Sequence, residues 1–398
     1  MTTRAFHLLL AISLAMVSAD HLQAGVIYVD FSSFQTRLNE ATAAAGVSSF
    51  TAAETSTIKS NILTQLSTIY SDFTGLSFSD SAVGTVFETL TYSIFDGTPG
   101  SLGVADSIDW LNTVGAQTAR VFTNNFGFTL EGSDARAVQI DEISTALAGT
   151  GAHELGHNLG LRHHDAYGDL SFAGTPVATG GLQNSNIMAT GSTGLDELGR
   201  ETLREFSTHS KVKLAYAAGT LPLNPTASSE FGDAGNLIST AQGLMLNEIS
   251  VAGRYADVVN GFLSSGDSDF FELDLTAPGF LTADINNDGI SSTDTIISIF
   301  DSSMNLLGSN DDTFYSTTSF GSGSFRDSGS ILTNVAINTA GKYYVEVKGF
   351  GGGGGNYSLL VHTDAIGSAA VPEPGSLTLT CMMMGGFGVW RKRRGRRA

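Results

Sequence analysis

Hydrophobic and polar positions divide the chain into stretches of different period. Leu8 to Val17 is an apolar run interrupted only by Ser13, with one charge before it, Arg4, and small residues Val17-Ser18-Ala19 at its end. That is the pattern of a secretory signal peptide, ending by about residue 24, with Leu22-Gln23-Ala24 as a second cleavage site. Residues 26–31 read as a strand. Thr51-Ala52-Ala53-Glu54 is a capping box, and Ile58, Ile62, Leu66, Ile69 and Phe73 follow on one stripe, which predicts a helix to about residue 72. Residues 86–95 alternate as a strand would, with Leu90, Tyr92 and Ile94 on one face. Residues 109–126 suggest a weaker helix, and residues 138–147 a strand or loop. Residues 196–217 carry Leu198, Leu203, Phe206, Val212 and Leu214 and predict a further helix, with His209 at a solvent-facing position.

The pattern then changes. Residues 221–229 hold two prolines and small polar residues with no period, which reads as a linker. Beyond it, short strands are predicted at 270–275, 280–285, 295–300, 331–337, 343–347 and 357–361, separated by Gly, Asp and Ser turns. The glycine run 351–355 reads as a hairpin loop, since no helix or lysine follows to make it a phosphate cradle. The expected architecture is an α+β unit over 25–219, a linker over 220–235 and an all-β sandwich over 236–365.

Composition narrows the function classes. The 398 residues are 41% hydrophobic and only 15% charged, with 47 glycines, which suits a loop-rich exported protein. A net charge of −19 excludes a nucleic-acid partner, because phosphate contacts need clustered Lys and Arg. The single cysteine, Cys381, allows neither an internal disulfide nor a four-cysteine metal site, and excludes latency through a cysteine of an N-terminal propeptide.

Candidate chemistry concentrates at residues 151–165, GAHELGHNLGLRHHD. His153 and His157 are four apart, so on a helix they share one face and suit a single Zn2+. Glu154 beside the first is placed to act as general base on water. Gly160 lets the chain turn out of the helix, and His163, His164 and Asp165 compete for the role of third ligand. His163 fits the spacing from Gly160 best.

The extended His-Glu-x-x-His-x-x-Gly-x-x-His motif resembles the zinc site of the metzincin metallopeptidases. The resemblance implies His153, His157 and His163 as ligands, Glu154 as general base, and Asn186-Ile187-Met188-Ala189-Thr190 as a Met-turn with Met188 beneath the metal. Thr190 departs from the subfamilies with a tyrosine in that turn. It also implies a fold of twisted sheet, zinc helix, Met-turn and C-terminal helix, with one strand between residues 86 and 147 pairing with the substrate backbone. The expectation is a secreted zinc endopeptidase acting on protein or peptide substrates. The alternatives are a non-catalytic exported surface or matrix protein with the zinc fold as scaffold, and a metal-dependent hydrolase of other substrates.

The second unit resembles the bacterial pre-peptidase C-terminal domain, through Gly266-Asp267-Ser268-Asp269-Phe270-Phe271, Ile299-Phe300-Asp301, Gly308-Ser309-Asn310-Asp311-Asp312, Tyr343-Tyr344-Val345-Glu346-Val347 and Asn356-Tyr357-Ser358-Leu359. Asp284, Asn286 and Asp288 have the spacing of half a Ca2+ loop, with Asp311 and Asp312 as further candidate ligands; an ordinary Asn/Asp/Gly turn is the competing reading. At the C-terminus, Val371-Pro372-Glu373-Pro374-Gly375, an uncharged segment over 376–390 and a basic end from Arg391 resemble the PEP-CTERM sorting signal of Gram-negative bacteria. That resemblance implies export, processing by an exosortase and transient membrane association through the tail.

Overall fold

The computed structural model describes residues 25–73, 75–82, 84, 86–95, 100–163, 185–189, 195–217, 227–230, 233–249, 251, 253–286, 293–311 and 330–367. The signal peptide, His164, Asp165, Thr190, Asp288, Asp312 and the sorting tail lie outside them. Among the described residues no helix is long and apolar enough to cross a membrane.

The first unit opens with β1 (Gly25–Asp30), α1 (Phe34–Ala45) and α2 (Ala52–Ile69). Both halves of the capping box form at Thr51 and Glu54, and Ile58, Ile62, Leu66 and Ile69 line the buried stripe of α2. β2 (Leu76–Ser79), β3 (Val86–Thr91), β4 (Gly103–Ala105) and β5 (Thr118–Val121) complete a five-stranded sheet of order β2-β1-β3-β5-β4. All of its pairings are parallel except that of β4, the terminal strand, which runs antiparallel to β5. α3 (Arg136–Asn158) packs against the sheet and α2 and is buried continuously from Ile143.

Several expectations are corrected here. Residues 138–147 are neither strand nor loop but the first half of α3, with Ile143 and Leu147 one turn apart in the core. The helix expected over 109–126 is a 3-10 turn at Trp110–Asn112, then β5, then a second 3-10 segment at Thr123–Thr129. Positive φ at Leu111, Asn112 and Ala116 interrupts any helix there. Strand β3 ends at Thr91; Leu90 and Tyr92 are buried but Ile94 is exposed. Residues 196–217 split into α4 (Glu197–Arg200) and α5 (Thr208–Ala217), with Leu198 and Leu203 exposed between core positions.

The second unit carries β6 (Ser228–Ser229), β7 (Gln242–Gly243), β8 (Asn247–Glu248), β9 (Tyr255–Leu263), β10 (Ser268–Leu275), β11 (Gly279–Ile285), β12 (Thr295–Asp301), β13 (Leu306–Asn310), β14 (Ile331–Ile337), β15 (Gly341–Gly349) and β16 (Gly355–Thr363). They form two sheets, ordered β13-β12-β15-β10-β7 and β14-β11-β16-β9-β6. Their apolar faces meet through Phe271, Ile297, Ile299 and Val345 from one sheet and Leu281, Leu332, Leu359 and Val361 from the other. The linker boundary is corrected: Ser228 and Ser229 already pair with β9, and Glu230 accepts hydrogen bonds from Ala234 and Phe262. The glycine run makes no hairpin either, because β15 and β16 belong to different sheets.

The two units share a core. Strand alternation sends Tyr357, Leu359 and Val361 of β16 into the sandwich, so Ser358, Leu360 and His362 point the other way. Leu360, with Ile249, Ala256 and Val258, joins the apolar cluster of the first unit. The Trp110 indole N–H donates to Ser358 Oγ at 2.8 Å across the same seam.

Candidate metal centre

The C-terminal end of α3 supplies two imidazoles and the turn after it a third. α3 stops because Gly160 adopts φ +85°, and a Cβ there would also sit 2.8 Å from the Trp110 Cα. The chain reverses, and His163 folds back over the helix. The Nε2 atoms of His153, His157 and His163 form a triangle 3.1 Å on every side. His153 Nδ1 lies 2.9 Å from the Ile187 carbonyl and His157 Nδ1 2.8 Å from the Leu161 carbonyl. Carbonyls only accept, so both Nδ1 atoms carry the proton and both Nε2 atoms are lone-pair acceptors. His163 can donate to one of them, which still leaves the third edge as lone pair against lone pair.

The donor set fits a zinc ion. Tetrahedral coordination with Zn–N near 2.0–2.1 Å needs nitrogens roughly 3.3 Å apart, close to the triangle found. All three rings are buried. Burial first, then the neighbouring His157 and His163, hold the His153 imidazole well below its ordinary pKa, in the neutral form that ligation needs.

Around the triangle, each part is fixed by a neighbour. Glu154 lies against β4, where a Cβ on Gly103 would meet its Cγ and Oε1 at 2.6 Å; only glycine admits the carboxylate there. Burial pushes the Glu154 carboxyl up to about 8, opposed by the Ala105 backbone N–H. Met188 is fully buried under α3, its sulfur 3.0 Å from where Gly156 would carry a Cβ. Sequence reasoning missed Arg204, which is buried and donates Nη1 to the Asn186 and Ile187 carbonyls at 3.1 and 3.2 Å. It shares the Ile187 oxygen with His153 and so ties the Met188 turn to a candidate metal ligand. Burial pulls the Arg204 guanidinium down to about 9. No spacing rule marks it, because its partners are backbone oxygens.

Other residues singled out in the sequence fall elsewhere. His209 is fully buried, contrary to its solvent-facing expectation: α5 carries it into the seam between the units, 3.0 Å from His362 Nε2 and 3.0 Å from Asp284 Oδ2. Lys213 Nζ reaches the same Asp284 oxygen at 3.6 Å. Of the calcium candidates, Asp284 and Asn286 are both buried, Asp284 in an ion-pair cluster and Asn286 with its backbone N–H on the Ser358 carbonyl, while Asp288 and Asp312 lie outside the described residues. Asp311 follows β13, and its carbonyl accepts from Ser330. The carboxylates that do converge are Glu230, Asp233 and Asp269, with one oxygen from each within 4.8 Å of the others. Asp269 is fully buried; one oxygen accepts from the Tyr357 hydroxyl at 2.7 Å, and its Oδ1 has no hydrogen-bond partner.

Comparison with known proteins speaks to the tail. Residues 370–394 match the PEP-CTERM protein-sorting motif. The chain is an exported protein. Its C-terminus is a signal recognised by an exosortase, and sorting takes the protein to the cell surface or beyond it in a Gram-negative-type bacterium. No curated protein matches the chain. Among solved structures, the periplasmic g-type lysozyme inhibitor PliG of Aeromonas hydrophila is 18% identical over 31% of this chain and 96% of its own, with a TM-score of 0.21. The pre-peptidase C-terminal domain of a Bacillus anthracis collagenase is 18% identical over 34% of this chain and 95% of its own, with a TM-score of 0.20. Likenesses at that score carry no argument about fold or function.

Proposed function

We propose that the chain is a secreted zinc endopeptidase of metzincin type. The observation that carries this reading is the triangle of three Nε2 atoms 3.1 Å apart, with two Nδ1 atoms already committed to carbonyls. Such an arrangement is repulsive until a cation sits among the lone pairs. His153, His157 and His163 would hold a zinc ion, which supplies a Lewis acid to polarise a scissile carbonyl. Glu154 takes the proton of the attacking water and passes it to the leaving amine. Among the described residues β4 is the terminal strand of its sheet, beside Glu154, so an extended substrate adds there as a further strand. Met188 packs below as an apolar floor, and Arg204 positions His153 through Ile187.

Peptide cleavage by the purified chain tests the reading. Hydrolysis by the wild type, abolished by a chelator and lowered about 10²–10⁴-fold in Glu154→Gln, is expected. Full hydrolysis by Glu154→Gln would reject it.

A second cation reading rests on Asp269. A buried carboxylate with an unpartnered oxygen beside Glu230 and Asp233 suits Ca2+. Burial and then the charges of Glu230, Asp267 and Asp233 push Asp269 up to about 7, opposed by the Tyr357 hydroxyl. Calcium should therefore raise the melting temperature of the wild type at pH 7.5 and leave that of Asp269→Asn unchanged. Equal responses would dispose of it.

A further inference from the structure

A cleft of about 530 Å³ opens at the N-terminal end of β4, walled by Gly100, Leu102, Asn124, Asn125, Phe128 and Arg200. Its two rims lead to the candidate metal centre by independent routes. On one side, Leu102 continues the β4–β5 pairing, its carbonyl accepting from the Phe122 N–H, and the next residue, Gly103, is the one pressed against Glu154. On the other, Arg200 of α4 stands four residues before Arg204, which shares the Ile187 carbonyl with His153. At roughly 3.3 Å per strand residue, Gly100 to Leu102 lie within about 10 Å of the Glu154 contact. A peptide laid along β4 therefore brings a side chain within about three residues of its reacting bond to the cleft.

The lining is mixed, but its charge is not. Asn125 donates to the Ser101 carbonyl at 2.6 Å and holds the segment that enters β4, while Phe128 exposes an apolar wall. Among the described residues Arg200 is the one charged residue on the lining. It is half-buried, and among the described residues it forms no ion pair, although Glu197 and Glu201 flank it in sequence. Burial holds its guanidinium below the usual arginine range, which marks a charge stripped of water without a carboxylate to replace it. A guanidinium is always charged and offers a planar fork of donors matched to a carboxylate.

We propose that this cleft is a subsite for an acidic side chain of the substrate, Asp or Glu, held by Arg200 within three residues of the cleaved bond. The inference rests on the peptidase reading and deepens it by naming a substrate class. A free C-terminal carboxylate meets the same donors, and the test separates the two sources.

The experiment is a set of quenched peptides, each made with a blocked and with a free C-terminus, varying one position within three residues of the cleaved bond among Asp, Glu, Gln and Lys. The wild type should prefer an acidic residue at a single position by about tenfold or more in kcat/KM. Arg200→Gln should flatten that preference, and Arg200→Glu should reverse it toward Lys at the same position. Circular dichroism spectra and melting temperatures matching the wild type establish that both variants fold. Cleavage with no acidic preference, a preference that survives Arg200→Glu, or acid-dependence seen only with free C-termini would overturn the subsite and leave the peptidase reading standing. No cleavage of any peptide by the wild type would overturn both.

Discussion

Two buried imidazole clusters lie in this molecule, and they solve the same problem in opposite ways. In the seam between the units, the His209 ring spans His362 and Asp284, and Lys213 adds a cation to the same carboxylate. There one ring nitrogen of His209 meets a carboxylate and the other meets a second imidazole, and negative charge faces positive. At the end of α3, three ring nitrogens face one another with no carboxylate of the described residues among them, and the outer nitrogens of two rings are spent on carbonyls. A cluster built around an ion pair acts as a structural weld. One that turns its lone pairs inward is what we propose as the receptor for a cation. Both are equally buried, so burial alone does not separate them; the direction of the lone pairs does.

The largest expected effect falls on the open cluster. His157→Ala should abolish stoichiometric zinc and all cleavage, yet leave the seam intact, as read by metal analysis and circular dichroism together. Next comes the closed cluster: Asp284→Ala removes the carboxylate that faces Lys213 and should cost about 3–5 kcal/mol in denaturant unfolding while zinc content is unchanged. If Asp284→Ala instead lost zinc at native stability, the division between the clusters would fail. Arg204→Met should weaken zinc affinity about 10–100-fold in a chelator competition, because it frees the carbonyl that orients His153.

The smallest effect is in pH. Burial, then the neighbouring His209 and Arg254, depress His362 well below its ordinary value, with Asp284 opposing. The unfolded chain thus binds a proton below about pH 6.5 that the folded chain refuses, so stability is full above 6.5 and is lost as pH falls beneath it. His362→Gln should make the melting temperature flatter between about pH 6.5 and 5 than in the wild type.

Legibility in the sequence followed the range of the interactions. The capping box and stripe of α2 are local, and their residues are where their period predicts. The six expected sandwich strands all form, while β9 and β13 were missed: Gly261 and Gly308 interrupt their patterns. The first half of α3 was misread because it exposes Val138, is buried all round from Ile143 and lacks a side-chain cap, so it has neither a clean amphipathic period nor a start signal. The three histidines were legible because one helix turn and one glycine set their spacing. Arg204, Arg200 and the edge position of β4 were not, since each depends on which distant backbone it meets. His209 was misplaced for the same reason: the sandwich that buries it arrives some 70 to 150 residues later in the chain.

Elemental analysis of purified wild type, Glu154→Gln and His157→Ala, after dialysis against trace zinc, tests the central claim most directly. One zinc per chain in the first two proteins and none in the third is the predicted result. Wild type without zinc, or zinc retained in His157→Ala, would contradict the assignment of the inward-facing triangle as a metal centre.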